Sequence, residues 1–340
     1  MRLRKLSNNV KTLIFLSAAI VVFAIVFITA LIVGRYNISV AAFFKMLYSS
    51  SGYEMERSIV LNLRLPRTII AALTGIALSL SGLLYQETFQ NKLVSPDLLG
   101  VSSGAGVGAA LAIILGLSSV FVSMFAFVFG VATVIMTLFV AKIFRNKSSM
   151  ILVLSGIIVG GLMSAVLSFI KYLADAETTL SSITYWLMGS FENSVMADVW
   201  VLLPIVAVCT VITVLMSWRI NIVALGREEA QTRGINYKVY RTLIICIATL
   251  LTASSVAFAG TISWIGLVVP HIVRNIVGRN AKHTVPLNIA FGATFMVIAD
   301  IISRCFTSSE IPLSAVTGFF GTIIFVVILF IRRKNISEND

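Results

Sequence analysis

The chain reads as a succession of long apolar runs separated by short polar stretches. A helix needs about 20 apolar residues to cross a bilayer. Ten segments reach or approach that length, roughly 13–33, 67–88, 98–117, 120–141, 150–173, 199–218, 239–260, 262–277, 286–305 and 313–331. They predict an all-α, polytopic membrane protein with about ten transmembrane helices. Two segments are irregular: 98–117 is rich in Gly and Ser, and 262–277 is short and contains Pro270. No low-complexity tract or soluble stretch interrupts the pattern, so residues 1–340 are expected to form a single transmembrane domain.

Composition supports the same class. Apolar residues make up 58% of the chain and charged residues 12%, with a mean hydropathy of +1.00. Soluble domains average about 45–50% and about 25%. Arg2, Arg4 and Lys5 precede the first apolar run in the manner of a signal peptide. That run is too long for a signal core and no A-x-A-like site follows, which predicts a retained first helix. Ten spans place both termini on one side. The Lys and Arg residues then divide 19 to 7, with the termini and the 223–236 loop on the richer side. Cytoplasmic loops carry such an excess, so both termini are expected in the cytoplasm. The opposite face carries Asp175, Glu177, Glu192 and Asp198. The net charge of +12 therefore reflects topology rather than nucleic-acid binding.

The most distinctive polar stretch is Val223 to Asn236. Gly226 and Gly234 bracket Arg227–Arg233, about two helical turns, and Gly favours the position just past a helix end. Glu229 precedes Arg233 by four residues, the favourable acid-then-base order. Asn236 is placed to cap a helix starting near Tyr237. A short stiff helix on the membrane surface suits a handle gripped by another protein; a solvated interhelical loop is the alternative.

Chemistry is otherwise sparse. There is no G-x-x-x-x-G-K-S/T phosphate loop, Cys209, Cys246 and Cys305 lie in separate spans, and His271 and His283 stand twelve apart. Neither set has metal-ligand spacing. No Ser/His/Asp grouping suggests a protease. The chain is expected to be no enzyme and to hold no metal or cofactor. Gly104, Gly106 and Ala109 satisfy a loose dinucleotide spacing, but no strand precedes them and no acid follows before Asp175. Close helix packing accounts better for these small residues.

Gly156, Gly160, Ser164 and Ser168 recur every four residues on one helix face. Such a face permits close backbone approach, either inside the chain or at a pathway or dimer seam. Charges within spans are costly and mark function or pairing. Asp300 and Arg304 stand four apart near the outer end of the ninth span, spaced to pair. Arg64 and Arg67 flank Leu65 and Pro66 at the outer start of the second, and Pro66 suits a first helical turn. An outward Arg cluster suits an acidic partner or snorkelling to headgroups.

Taken together, the motifs resemble the permease family of bacterial importers for iron–siderophore, heme and vitamin B12. The resemblance rests on Arg64-Leu65-Pro66-Arg67-Thr68, on Asn91 with Pro96-Asp97-Leu98-Leu99-Gly100, and on Trp186-Leu187-Met188-Gly189-Ser190. It also rests on Gly260 through Arg274, on Glu310-Ile311-Pro312, and on Ala224 through Ala230 with Gly234-Ile235-Asn236. These run in family order over nearly the whole chain. Two departures occur: Asn91-Lys92-Leu93-Val94 lacks the usual proline, and Ser314 replaces a usual glycine.

The resemblance implies the ten-span subunit of a type II ABC importer in a bacterial cytoplasmic membrane. Two permease subunits, identical or related, would form the pore. Two separate ATPase subunits would engage Leu225, Gly226, Arg227, Glu228, Glu229, Ala230, Arg233 and Gly234. An extracytoplasmic solute-binding protein would place its Glu side chains on Arg64, Arg67 and Arg304. The implied cargo is a bulky iron chelate, first a ferric siderophore, with heme or cobalamin as alternatives. A free metal ion would need rings of carboxylate, His or Cys ligands, which the sequence barely offers. An ion-coupled secondary transporter would need intramembrane acids; Glu87 and Asp300 are the only carboxylates near the spans.

Overall fold

The structure is a computed structural model and describes residues 7–48, 52–144, 149–307 and 309–337. Arg2, Arg4, Lys5, Arg145 and Lys147, which contribute to the charge asymmetry, lie outside the described residues. Fifteen α-helices occur among those described, and no strand. They are α1 (Asn8–Ile32), α2 (Val40–Tyr48), α3 (Glu54–Ser58), α4 (Leu65–Thr88), α5 (Val101–Ile114), α6 (Ser119–Ile143), α7 (Ser149–Leu173) and α8 (Thr179–Met188). Then follow α9 (Met196–Leu215), α10 (Ser217–Val223), α11 (Arg227–Thr232), α12 (Tyr237–Ala259), α13 (Ile265–Val277), α14 (Ala281–Cys305) and α15 (Leu313–Ser337).

Every apolar segment of the sequence is helical. Among the described residues seven helices are long and apolar enough to cross a membrane, the second of them running without interruption over Glu54–Thr88. Two other apolar helices are shorter, Val101–Ile114 and Ile265–Val277, and α15 is apolar over Leu313–Ile328. At 1.5 Å per residue the first of these is about 21 Å long, less than the ~30 Å hydrocarbon core. The chain is thus an all-helical, polytopic membrane protein.

The second span does not begin at Pro66, as the proline suggested. The helix enters from α3 through a π-helical stretch, Ile59–Arg64, in which the Leu65 N–H donates to the Val60 carbonyl. Pro66 has no N–H to give, and the wider turn just before it accommodates the missing donor within a continuous helix.

The centre of the molecule is α4. Of its most apolar stretch 89% is buried, against 11% for α1 at the periphery. Glycine permits its two closest crossings. A Cβ on Gly75 would lie 2.1 Å from the Gly292 carbonyl oxygen, and one on Gly82 would lie 1.9 Å from that of Gly266. Lipid gives helices no hydrophobic reason to associate, so close backbone packing and polar contacts hold them. Ser79 donates to Asn288 at 2.9 Å, and Tyr85 bonds Thr249 at 2.9 Å. The Gly100–Gly108 run serves the same purpose: a Cβ on Gly104 or Gly108 would strike Thr133 or the Phe125 carbonyl of α6.

Two ends of the bundle can be told apart by their contacts. At one, the end of α4, the α10–α11 segment and the α13–α14 turn meet. At the other, the end of α1, the start of α4 and the end of α14 meet.

Candidate coupling site and outer ion-pair network

The surface helix expected between residues 226 and 234 is α11. Gly226 precedes it at φ +105° and Gly234 follows it at φ +71°, conformations that a side chain strains. The Gly234 N–H donates to the Gln231 carbonyl and the Ile235 N–H to that of Ala230. These two bonds close the helix as a Schellman motif. Its apolar contact is present too, since Ala230 and Ile235 are buried together with Ile222. Asn236 caps α12, its side chain accepting from the Val239 N–H. Anchored in this way, α11 leaves Leu225, Arg227, Glu228, Glu229 and Arg233 exposed. No ion pair joins Glu229 to Arg233 among the described residues: α11 ends at Thr232, so Arg233 leaves the helix face that the spacing assumed.

The segment is tied to the transmembrane core by residues the sequence did not single out. The Gln90 amide donates to the Ala224 carbonyl at 3.1 Å. Asn221 donates to Asn280 at 2.9 Å and accepts from the Ala281 N–H at 2.7 Å. Deeper in, Arg274 pairs with Glu87 at 3.3 Å and donates to Gln86. A cavity of about 430 Å³ lies among these groups. The segment leading into α11 is thereby joined to the ends of α4 and α14. Asn and Gln side chains give no periodic signal, so only the geometry identifies them.

At the opposite end, Arg64, Arg67 and Arg304 do not form the exposed cluster expected of a docking surface. All three are buried, at 5%, 8% and 5% exposure. Arg64 donates to the carbonyls of Leu31, Ile32 and Tyr36 at 2.9, 2.5 and 2.5 Å, closing the end of α1. Helix ends leave such carbonyls without intrahelical donors. Arg67 donates to Asp300 at 2.7 Å and grips Glu310 with both terminal nitrogens, at 2.6 and 2.9 Å. Arg304 lies 3.4 Å from Asp300, the expected four-residue pair, and donates to the Ala30 carbonyl at 2.5 Å. Burial forces this pairing, because an uncompensated charge there is too costly.

The acidic residues expected on the outer face are partly local structure as well. Asp198 accepts from the Val195 N–H at the start of α9. Asp175 accepts from the Thr178 hydroxyl and N–H, and these bonds hold its carboxyl below the usual range.

The small-residue face of α7 divides. Gly156 is buried, and a Cβ there would lie 2.2 Å from the Leu98 carbonyl oxygen. Gly160 approaches Gly100 more loosely, at 3.6 Å, while Ser164 and Ser168 are exposed and bond back to Gly160 and Ser164 of their own helix. Internal packing explains the first half of the stripe only.

A bundle of apolar helices carrying a charged surface helix tied to its core suits a transport permease. No group of three or more His, Cys, Asp or Glu residues suited to a metal ion occurs among the described residues. The comparisons with known proteins make the class specific. The chain belongs to the FecCD transport family, whose model matches residues 21–331, and is an ABC-importer permease of that family. It is 34% identical over 319 residues to the molybdate import system permease protein MolB of Haemophilus influenzae, covering 92% of this chain and 95% of that one. It is 33% identical to a probable iron chelatin transport system permease protein of Helicobacter pylori, covering 81% and 83%. Its fold is similar to a solved inward-facing conformation of a metal-chelate type ABC transporter, with a TM-score of 0.85, 34% identity and coverage of 93% and 98%.

Proposed function

We propose that this chain is one half of the membrane pore of a bacterial importer whose cargo is a metal chelate, first an iron chelate such as a ferric siderophore. On this reading it spans the cytoplasmic membrane ten times with both termini in the cytoplasm. A second permease subunit completes the pore along the open part of the α7 face, Ser164 and Ser168. Two ATPase subunits grip residues 223–236 from below, and a solute-binding protein delivers cargo from outside. Heme and cobalamin are the alternatives within the chelate reading. The observation that carries the proposal is the Schellman-closed α11, whose leading segment is tied through Gln90, Asn221 and Asn280 to α4 and α14. A free loop needs no such attachment, whereas a lever that turns ATPase closure into tilting of spans does.

The structure changes what the outer arginines are proposed to do. Arg64, Arg67 and Arg304 lock α1, α4, α14 and the 310 region together, and docking of a binding protein falls to other outer groups. A second cargo class, a tetrahedral oxyanion, is favoured by one observation. The molybdate permease relative is 34% identical to this chain over 319 residues.

Uptake decides the matter. The chain is co-expressed with the ATPase and binding-protein partners that co-purify with it, and cells are offered labelled ferric siderophores, heme, cobalamin and molybdate. Energy-dependent accumulation of an iron chelate, abolished by loss of the ATPase, is the expected result. Accumulation of molybdate alone establishes the oxyanion reading. Accumulation that survives loss of the ATPase removes the importer proposal altogether.

A further inference from the structure

The helix α2 is apolar on two sides, and the fold uses only one. Phe43 and Met46 are buried together with Leu31, at the end of α1, and Val60, in the π-helical stretch. On the far side Val40, Phe44 and Tyr48 recur every four residues and so form one stripe. Phe44 is 49% exposed and Tyr48 91%. Lys45, also exposed, stands at the edge of this stripe. The Ser39 hydroxyl accepts from the Ala42 N–H and caps α2, so it is a helix in its own right rather than a continuation of α1. At nine residues, about 14 Å, it is too short to cross a bilayer.

Neighbouring residues fix the level of α2 along the bundle. Because it packs on Val60, it stands beside Leu61 and Leu63, exposed apolar residues of the continuous Glu54–Thr88 helix. Along the peripheral α1, Ile25, Ile28 and Val33 carry exposed apolar surface up to the same level. The stripe therefore continues the surface that the spans turn to lipid. Next to it the chain becomes polar: Glu54 is exposed, and the Tyr36 hydroxyl donates to Glu56. Apolar side chains, tyrosine hydroxyls and a lysine at one level are the composition of a membrane–water boundary. Even fully covered, Val40, Phe44 and Tyr48 supply a few hundred Å². A specific protein interface takes about 800 Å² from each partner.

We infer that the Val40–Phe44–Tyr48 face of α2 is a lipid-binding surface, seated between the headgroups and the acyl chains, with the Lys45 ammonium reaching the phosphates. Short amphipathic helices bind membranes in this way. The orientation proposed above assigns the lipid to the outer leaflet; lipid contact itself does not depend on that assignment. Arg64 locks the end of α1 to the start of α4, so an anchored α2 holds that corner of the bundle at a fixed depth.

The test uses the full chain in nanodiscs of dioleoyl phosphatidylcholine. In one arm the wild-type chain is irradiated with a phosphatidylcholine carrying a diazirine near its ester carbonyls. Cross-links are expected on residues 40–48 at severalfold higher yield than on the acidic 174–178 turn. In the other arm Phe44→Cys and Glu54→Cys are spin-labelled in a chain whose Cys209, Cys246 and Cys305 are replaced by serine. The label at 44 is expected to collide severalfold more with oxygen than with a water-soluble nickel chelate, and the label at 54 the reverse. Absence of cross-links on 40–48, or preference of the 44 label for the chelate, places this face in water and overturns the proposal. Dipolar broadening between two 44 labels makes it a seam between copies of the chain. Loss of the cross-links when a co-purifying binding protein is added makes it a docking surface; each also overturns the proposal. The cross-linking arm needs no substitution, so it decides the matter even if the cysteine-free chain does not fold. Transport plays no part in these readouts, so they fail or succeed independently of the proposed cargo.

Discussion

Replacing Arg67 by Met separates a structural from a docking role for the outer arginines. In the native protein Arg67 makes three charge-assisted hydrogen bonds, one to Asp300 and two to Glu310, while itself only 8% exposed. Asp300 is fully buried. Methionine fills a similar volume but leaves Asp300 with only Arg304, at 3.4 Å, and leaves Glu310 without its fork. Breaking a buried pair by removing one partner costs about 3–5 kcal/mol, because a buried charge is left uncompensated. That is about two to four powers of ten in the folding equilibrium. The assay is reversible unfolding in mixed micelles, with membrane abundance as the cellular counterpart. Arg67→Lys keeps the charge but loses the bidentate geometry, and is expected to fall between Met and wild type. Adding Glu310→Gln to Arg67→Met removes the stranded carboxylate and is expected to restore part of the loss. Wild-type stability in Arg67→Met, accompanied by slowed association with a binding protein, would refute this reasoning and return Arg67 to a docking surface.

Four further outcomes follow from the packing. Gly234→Val is expected to reduce uptake several-fold at normal membrane abundance. A β-branched residue at φ +71° costs about 1–2 kcal/mol or more, while its Cβ meets nothing within 4 Å; unchanged uptake per molecule would show that α11 need not be closed. Glu229→Pro is a weaker probe, because Glu229 lies in the first turn of α11, where its N–H has no intrahelical acceptor to lose. Gly156→Leu is expected to remove the protein from the membrane, because even its Cβ strikes the Leu98 carbonyl. Ser164→Leu should fold and yet block uptake if the open face meets a second subunit or the cargo path; full uptake in Ser164→Leu would count against that. Gly82→Ala is expected to destabilise by about 1–3 kcal/mol through overpacking against Gly266, read as a lower unfolding midpoint.

The surface helix α11 was legible because its signals are local. Glycine at a positive φ and asparagine before a helix act through neighbouring residues, so Gly226, Gly234 and Asn236 could be assigned from spacing alone. The Glu229–Arg233 pair was not realised, because spacing does not reveal that α11 stops at Thr232. The outer arginines were legible as charges near helix ends, but snorkelling, docking and buried pairing present the same pattern there. Asp300 with Arg304 was accessible at four residues; Arg67 with Glu310, 243 residues apart, was not.

By itself the sequence determined the membrane class, the helical segments and the caps of the surface helix. Each depends on solvent transfer or on backbone conformation within a few residues. Only the tertiary structure decided which glycines become crossings, as Gly75 meets Gly292 and Gly82 meets Gly266. It alone decided which carboxylates neutralise which arginines, and which amides tie α11 to the core. Those contacts join residues tens to hundreds of positions apart, and in lipid every span is apolar on most of its surface. Hydropathy therefore cannot say which faces meet; close steric fit and the pairing of buried polar groups make that choice.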